Sequence, residues 1–375
     1  MVVIKRTETV SLDLPFAPEP CPSASIHHHV PRISAVPPQP TPPNTMKSFS
    51  VLVSLATAVL AASRTSAPSG CITVSKGGGS GRFATIQAAV NSLSTNSTAD
   101  QCIFIDQGTY GEQVLVPSRQ AQLTVYGYST DTDSHGANGA TITSNKSQKD
   151  GLSNDETATL RVKAAGFRLY NVNVNNGLGE GSQAVALSAY ADSGYYGCRF
   201  TGFQDTVLAN TGKQLYAKCL IQGATDFIFG QNAAAWFQKS DIRVLGKSLG
   251  YITANGRDSA SNPSYYVFNS CNIQAASGNN VPAGAYYLGR PWRAYARVVF
   301  QYTSMTNVIN SAGWRIWNSG DERTSNVLFG EIGNSGQGSQ GTRARFATKL
   351  GQGVAINSIL GGSYQSEKWY DASYM

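Results

Sequence analysis

The chain has 375 residues, of which only 14% are charged, and it contains 38 glycines. Long amphipathic helical patterns are scarce, while Val, Ile, Phe and Tyr recur in short runs, which favours an all-β protein over a helical bundle. The length would allow two average domains, but all-β solenoids often run to roughly 250 to 350 residues as one unit.

Two N-terminal segments are predicted to lie outside the fold. Residues 46–62 contain one lysine, an apolar run and small residues at the end, which is typical of a secretory signal peptide and too short for a membrane span. Residues 1–45 are rich in proline and lack periodicity, so they are predicted to be a disordered extension upstream of the natural start at Met46. A genuine extension with an internal signal anchor is the alternative. Residues 63–375 are predicted to form one β-helix domain.

Removal of the first 62 residues changes the charge balance of the chain and the set of side chains available for acid–base chemistry. It has 25 Lys and Arg against 19 Asp and Glu, which suggests a polyanionic partner such as an acidic polysaccharide, or simply solubility. One histidine remains, His135, in a polar segment predicted to be a solvated loop. Because a Ser-His-Asp or Cys-His hydrolase needs a positioned imidazole, we expect carboxylates to do the acid–base chemistry. The sequence has no His/Cys cluster suited to zinc, and no metal or cofactor is expected.

The first predicted elements of the domain are a helix and short strands. Residues 83–93 are predicted to form an amphipathic helix that covers the open end of a coil of strands, where backbone groups would otherwise be unpaired. Residues 102–106 and 123–126 are typical of strands. Asn96 and Asn145 begin Asn-X-Ser/Thr triplets in polar segments and are candidate glycosylation sites.

A period of 21 residues runs through the middle of the chain. The residues that share this offset are Gln183 and Gln204, Asp205 and Asp226, Cys198 and Cys219, Lys218 and Lys239, and the three-member column Tyr195, Tyr216 and Phe237. Such a period with strand-like runs predicts a solenoid, most plausibly a parallel β-helix. Equivalent positions then lie about 4.8 Å apart in successive coils. The aromatic column is predicted to be a packing stack.

Five cysteines remain after Cys21 is removed with the extension. Cys198 and Cys219, one coil apart, are predicted to form a disulfide, since the strand spacing is close to the usual Cα separation and secretion permits oxidation. Two buried free thiols are the alternative. Cys71 with Cys102 is a weaker second pairing, which would leave the fifth cysteine, at position 271, free.

The stacked aspartates are the strongest chemical signal. Like charges directly opposite each other are destabilising, so Asp205 over Asp226 indicates a functional role. Two carboxylates about 5 Å apart cannot both ionise cheaply, so one is expected to stay charged while the other keeps its proton. Gln183 and Gln204 could supply N–H donors to an oxyanion, or they could form a structural amide ladder.

Six segments resemble those of the pectin methylesterases, and most closely the fungal branch without a pro-region. These segments are Gly108–Glu112, Gln183–Leu187, Gly202–Val207, Asp226–Gly230, Leu288–Trp292 and Gly313–Trp317. They follow the family's order, and the likeness covers roughly residues 71–375. It implies a right-handed, single-stranded parallel β-helix of the pectin-lyase type. It also implies a secreted carbohydrate esterase that hydrolyses C6 methyl esters of pectin to polygalacturonate and methanol.

The resemblance implies a role for each residue of the catalytic set. Asp226 matches the family's nucleophile, and Asp205 matches the general acid that later acts as a base. Gln183 and Gln204 match the glutamines that hold the oxyanion, and Arg290 matches the arginine that fixes the nucleophile. The expected partners are methyl-esterified homogalacturonan and water, with no nucleic acid or membrane, and the chain is expected to be a monomer.

Substrate contacts are implied for a second set of residues: Arg290, Trp292, Phe203, Phe229 and Trp314. Phe203 stands where many family members have Tyr, which puts one subsite contact in doubt but leaves the catalytic set unchanged. For Trp292 and Trp314, a place in the core is the alternative to sugar stacking. For Arg290, the alternative is an ordinary surface charge.

Two other classes of protein remain open from the sequence. A pectin glycosidase or lyase could share the β-helix, but inverting hydrolysis needs carboxylates about 6.5 to 9.5 Å apart, wider than one coil spacing. A lyase usually needs a calcium-binding carboxylate cluster, and the sequence shows no such cluster. A non-catalytic wall-binding solenoid is the third class, and for it Asp226→Asn should change nothing measurable.

Overall fold

The computed structural model describes residues 62–375. The predicted extension 1–45 and all but the last residue of the predicted signal peptide 46–62 therefore lie outside the described residues. The first described residue is hydrogen-bonded to a later loop of the chain. The carbonyl of Ala62 accepts a hydrogen bond from the backbone N–H of Thr132 at 2.7 Å. None of the helices in 62–375 is long and apolar enough to cross a membrane.

Three parallel sheets form the body, and each coil of the chain passes through them in the order sheet 1, sheet 2, sheet 3. In spatial order, sheet 1 contains Arg82–Phe83, Ile72–Val74, Gln101–Ile105, Leu123–Gly127, Phe167–Tyr170, Ser193–Tyr196, Thr211–Ala217, Asn232–Gln238, Tyr265–Asn269, Arg297–Gln301, Leu328–Ile332 and Ala347–Lys349. Sheet 2 contains Gly108–Gly111, Ala140–Ser144, Val172–Asn176, Arg199–Thr201, Leu220–Gly223, Asp241–Val244, Asn272–Ala275 and Ser304–Met305. Sheet 3 contains Val114–Val116, Leu160–Val162, Leu187–Ala189, Val207–Ala209, Ile228–Gly230, Gly250–Asn255 and Tyr286–Pro291. The prediction of a parallel β-helix is confirmed.

The 21-residue period is the register of two successive coils. Tyr195 pairs with Tyr216, and Tyr216 pairs with Phe237. The next coil is longer, since Ala234 pairs with Tyr265. The period is therefore visible only where no loop is inserted between strands.

An aromatic column fills the interior behind sheet 1. The rings of Tyr195, Tyr216, Phe237, Phe268 and Phe300 stack in that order, with centroids 4.8, 4.7, 4.3 and 4.3 Å apart. All five side chains are fully buried. The predicted packing stack is confirmed and extends two coils further than the sequence showed.

Short helices cover the first coil and the outer face of sheet 1. Helix α1, Ile86–Ser92, buries its apolar side against the first coil, as expected for the covering helix predicted at 83–93. The carboxylate of Glu112 accepts the first two N–H groups of α1 at 2.8 and 2.9 Å. The remaining helices are α2 (Asn154–Thr157), α3 (Ile356–Leu360) and four 3-10 turns at Gln148–Asp150, Gln337–Ser339, Tyr364–Ser366 and Ala372–Tyr374.

The predicted Cys198–Cys219 disulfide is wrong, and the weaker pairing is the one that forms. Cys71 and Cys102 are disulfide-bonded with Cα atoms 4.7 Å apart, whereas Cys198, Cys219 and Cys271 are buried free thiols. In stacked coils the Cα–Cβ bonds of equivalent residues run parallel, so their Cβ atoms stay about 4.8 Å apart. A disulfide needs about 3.5 to 4.5 Å between Cβ atoms. Cys71 lies just before its strand, where the pleat does not fix its side-chain direction.

The free thiols have a structural use in the turn between sheets 1 and 2. Cys219 donates to the carbonyls of Tyr195 and Ala217 at 3.4 and 3.5 Å. In later coils the hydroxyls of Ser240 and Thr303 donate to the carbonyls at the matching positions. The column is thus a ladder of hydrogen-bond donors to backbone carbonyls.

Candidate active site

Asp205 and Asp226 lie in the turn where sheet 2 passes into sheet 3. Both have left-handed backbones, with φ of 64° and 49°, a region that Asp tolerates better than most residues with a Cβ atom. The backbone N–H of Asp205 donates to the carbonyl of Thr225 at 3.1 Å, which places the two aspartates in adjacent coils. The turn therefore holds two aspartates whose backbones lie about one strand spacing, 4.8 Å, apart.

Both carboxylates are almost completely buried, with 6% and 7% of Asp205 and Asp226 exposed. Burial, followed by the charge of Asp226, raises the pKa of Asp205 well above its usual value. Burial also raises the pKa of Asp226, but hydrogen bonds and charge from Arg290 act in the opposite direction. The proton shared by this pair is therefore held by Asp205, and the negative charge by Asp226.

Arg290 binds Asp226 through two parallel hydrogen bonds. Its Nε and Nη2 lie 2.9 and 2.6 Å from the two carboxylate oxygens. The guanidinium is itself sandwiched between aromatic rings, 4.1 Å from the ring centre of Tyr251 and 4.3 Å from that of Trp317. Burial opposes its charge, yet the bonds to Asp226 raise the pKa of Arg290. This geometry excludes the alternative of an ordinary surface charge.

Gln183 and Gln204 lie beside the aspartates in successive coils. The N–H of Ala184 donates to the carbonyl of Gln204 at 3.2 Å, which fixes that stacking. Both side chains are partly exposed, and among the described residues neither amide has a hydrogen-bond partner. A structural amide ladder would bond the two amides to each other. Their N–H groups are instead free to bind a ligand next to Asp205 and Asp226.

Aromatic side chains lie on both sides of the pair. On the sheet 3 side, Phe229 and the partly exposed Trp292 contact each other with ring centres 6.1 Å apart. On the sheet 2 side, Phe203 is partly exposed, with the ammonium of Lys247 5.1 Å from its ring centre. Lys247 also forms an ion pair with Glu180 at 2.6 Å. Of these predicted substrate-contact residues, Phe203 and Trp292 are partly exposed, whereas Phe229 is 3% exposed and packs in a small apolar cluster beneath Trp292.

Trp314 is not one of them, and its predicted substrate contact is wrong. It is 1% exposed, stacks on Phe329 at 4.3 Å, and donates through its indole N–H to Glu331 at 3.0 Å. It belongs to the core, as the alternative reading had it. The segment Gly313–Trp317 does reach the site, but through Trp317, which contacts Arg290.

Sequence reasoning also missed a link that holds the loop after Trp317. The guanidinium of Arg323 lies 4.9 Å from the ring centre of Trp317 and donates to the backbone carbonyl of Trp292. Asp321 binds Arg323 at 2.6 Å. These residues follow no coil period, so the sequence pattern carried no signal for them.

Three remaining predictions concern residues away from the pair. His135 is not a solvated residue: its Nε2 lies 2.9 Å from Asp241, which begins a sheet 2 strand, whereas Asp205 and Asp226 follow the ends of sheet 2 strands. Asn96 and Asn145 are exposed, so glycosylation there stays a prediction. Within 62–375, no group of three or more His, Cys, Asp or Glu is arranged to hold a metal ion.

Comparisons with known proteins bear on this geometry. A family model described as Pectinesterase matches residues 71–351. Pectinesterases of Aspergillus aculeatus and Aspergillus niger are 54% and 51% identical over 333 residues, covering 88% of this chain and 99% of each relative. The crystal structure of the pectin methylesterase from Aspergillus niger in deglycosylated form has 42% identity and a TM-score of 0.77, covering 84% of this chain and 100% of that one. A pectin methylesterase from carrot has 29% identity and a TM-score of 0.71, covering 82% and 98%.

Proposed function

This chain belongs to the pectinesterase family, and on that premise we propose that Asp226 and Asp205 carry out the hydrolysis by covalent catalysis. The enzyme de-esterifies pectin, which yields methanol and polygalacturonate. One observation carries the assignment of roles: of two buried aspartates one coil apart, only Asp226 is bound by Arg290. Because of that contact, Asp226 is assigned as the charged nucleophile and Asp205 as the protonated acid.

In the first step, a carboxylate oxygen of Asp226 attacks the C6 carbonyl of a methyl-esterified galacturonate. The C6 oxygen gains negative charge, which the N–H groups of Gln183 and Gln204 stabilise. Asp205 gives its proton to the methoxy oxygen as the bond to C6 breaks, so that methanol leaves and an anhydride joins Asp226 to the sugar. Neutral amides suit this role because they stabilise the oxyanion without a charge that would pair with the nucleophile.

In the second step, Asp205, now ionised, removes a proton from a water molecule. The resulting hydroxide adds to the C6 carbonyl, the anhydride bond breaks, and Asp226 regains its carboxylate. The product leaves C6 as a carboxylic acid, which loses its proton to solvent and becomes galacturonate. The same two side chains return to their starting protonation states, so the cycle needs no metal or cofactor.

Homogalacturonan is expected to contact the aromatic residues beside the pair. Trp292 presents a partly exposed ring, packed on the backbone of Gly256, where a Cβ atom would come within 2.6 Å of the indole. Such a supported ring is suited to stacking against a sugar. Phe203 offers a second apolar contact across the carboxylates. The chain is proposed to act as a monomer, which light scattering tests.

The chain is also proposed to be secreted. The Cys71–Cys102 disulfide supports this, since disulfides persist in oxidising compartments. The exposed side chains of Asn96 and Asn145 are compatible with glycosylation. N-terminal sequencing of protein recovered from the medium of an expressing fungus should begin near residue 63, and a start within 1–45 would contradict the assignment.

A release assay tests the reaction class. With highly methylated pectin, the esterase should produce methanol while the number of reducing ends and of unsaturated sugar ends stays constant. New chain ends without methanol would support a β-helix glycosidase or lyase instead. Asp226→Asn assayed in parallel shows whether the methanol comes from this site.

A trapping experiment tests the covalent step. If an anhydride forms, added hydroxylamine should convert part of the product to uronyl hydroxamate, while the rate of methanol release in the first turnover stays unchanged because attack by Asp226 precedes the partition. If water attacked the ester directly, hydroxylamine would add its own contribution to methanol release. That second result would reassign Asp226 as a general base.

A further inference from the structure

A groove lies outside the candidate active site, at a different part of the coil from the aspartates. The aspartates occupy the turn from sheet 2 to sheet 3, whereas this groove lies where sheet 3 has passed into sheet 1. Its volume is about 680 Å³, and its lining includes outward-facing residues of sheet 1 on one side and Ser358 and Ile359 of α3 on the other. A volume of this size is typical of small-molecule and saccharide sites.

One column of the outer face of sheet 1 shapes the floor of the groove. Lys213 pairs with Ala234, and Ala234 pairs with Tyr265. Arg297 stands one coil further, next to Val298, with its guanidinium 4.2 Å from the ring centre of Tyr265. The small side chain of Ala234 leaves a gap between larger neighbours. The column spans three strand spacings, about 14 Å.

The two cations of this column lack acidic partners. Within residues 62–375, neither Lys213 nor Arg297 forms an ion pair with a carboxylate. Arg297 donates to the carbonyls of Ser264 and Pro263 at 3.1 and 3.2 Å, and these bonds leave its Nη1 unused. The stack on Tyr265 holds the guanidinium in place without neutralising it.

One carboxylate also lines the groove, that of Asp192. Its Oδ1 already accepts the backbone N–H of Lys213 at 2.7 Å. The groove therefore combines two cations and one carboxylate with an aromatic side chain. This combination favours an anionic sugar: guanidinium and ammonium groups bind carboxylates, and Tyr265 contributes an apolar surface for a sugar ring.

We propose that this groove is a second binding site, for a de-esterified stretch of homogalacturonan. The choice of this particular polymer rests on the proposed function, whereas the preference for an anionic saccharide rests on Lys213, Tyr265 and Arg297. An extended polyuronate can contact both cations across the 14 Å column, which a single small anion cannot do. The enzyme would thus be retained on regions of pectin that already carry free carboxylates.

Affinity electrophoresis of the full chain tests the proposal, with fully de-esterified polygalacturonate in the gel and dextran in a parallel gel. The wild type should be retarded by polygalacturonate only. Lys213→Glu should weaken binding about tenfold or more, the effect of losing one charged contact. Ala234→Phe, which fills the gap without changing the charge, should weaken binding to a similar extent.

The matched control is Lys349→Glu, which makes the same change of charge at an exposed lysine of the last sheet 1 strand. If this variant lost as much affinity as Lys213→Glu, the binding would be a net-charge effect and the groove proposal would be wrong. Unchanged binding of Ala234→Phe would also overturn it. Methanol release from a short methylated oligomer should stay at the wild-type rate in all three variants, which reports folding and tests the catalytic proposal separately.

Discussion

Two turns of the β-helix contain residues with left-handed backbones in successive coils, and they treat polar side chains in opposite ways. In the turn from sheet 1 to sheet 2, positive φ recurs at Asn171, Gly197, Lys218, Lys239, Ser270 and Tyr302. The residue that follows is Cys219, Ser240 or Thr303 in three of these coils, and each donates hydrogen bonds to two backbone carbonyls. Every polar group of this ladder is satisfied internally.

Among the non-glycine residues that the structure describes, the turn from sheet 2 to sheet 3 uses the left-handed conformation only at Asp205 and Asp226. Among the described residues, Asp205 has no side-chain hydrogen bond, and Asp226 is bound by Arg290 alone. Burying two carboxylates in this way lowers the stability of the fold. The turn from sheet 1 to sheet 2 has no such cost, because its polar groups are hydrogen-bonded. The comparison indicates that a repeated left-handed turn is structural where its polar groups are paired, and functional where they are left for a substrate.

The largest expected effect is loss of the nucleophile. Asp226→Asn should reduce methanol release by about 10³-fold or more, because the amide cannot form the acyl-enzyme and the fold keeps its shape. Methanol release with saturating pectin measures the change, and circular dichroism checks the fold. Activity within tenfold of the wild type would remove Asp226 from the mechanism and erase the difference between the two turns.

Loss of one oxyanion donor should have the next largest effect. Gln204→Ala should lower kcat by about 10² to 10³-fold with little change in KM, because the N–H bond strengthens in the transition state. Gln274→Ala removes a partly exposed glutamine of sheet 2 and is the matched control, with no expected change. A rise in KM at constant kcat would instead make Gln204 a ground-state binding residue.

The difference between the turn from sheet 1 to sheet 2 and the turn from sheet 2 to sheet 3 could be predicted only in part from the sequence. The offset of 21 revealed Asp205 over Asp226 because no loop interrupts those two coils. The same spacing wrongly joined Cys198 to Cys219, since it gives the distance between Cα atoms but neither the side-chain direction nor the carbonyls that accept the thiols. Trp317 carries no period, so its contact with Arg290 depends on a loop path that only the folded chain defines.

Arg290 sets the split between the two aspartates, and Arg290→Lys should alter the pH profile. Lysine keeps the charge but loses the paired hydrogen bonds, so kcat should fall by about ten to a hundredfold. The pKa of Asp226 should rise, because Arg290 lowers it in the wild type. The acidic limb of kcat/KM should therefore move to higher pH. Arg345→Lys, an exposed arginine near the last strand, should leave the profile unchanged.

The buried carboxyl group of Asp205 should lower the stability of the fold at neutral pH, and a neutral side chain at this position should restore it. Because folding raises the pKa of Asp205, the wild type loses stability as pH rises from the unfolded value, about 3.9, through the folded one. Asp205→Asn should therefore raise Tm at pH 7 and leave it unchanged at pH 3, where Asp205 is protonated in both states. Calorimetry measures this, with the exposed Asp133→Asn as the control. A lower Tm at pH 7 would contradict the raised pKa.

The smallest effect is expected in the turn from sheet 1 to sheet 2, where the polar groups are hydrogen-bonded to backbone carbonyls. Cys219→Ser should change the free energy of unfolding by no more than about 1 kcal/mol and leave methanol release unchanged, because Ser240 already fills the equivalent position one coil later with the same bonds. Cys102→Ser is the matched comparison and should cost about 2 to 4 kcal/mol, since it removes the disulfide to Cys71. If the two variants lost equal stability, Cys219 would be cross-linked. Peptide mapping under non-reducing conditions would then show Cys219 joined to Cys198 rather than alkylated.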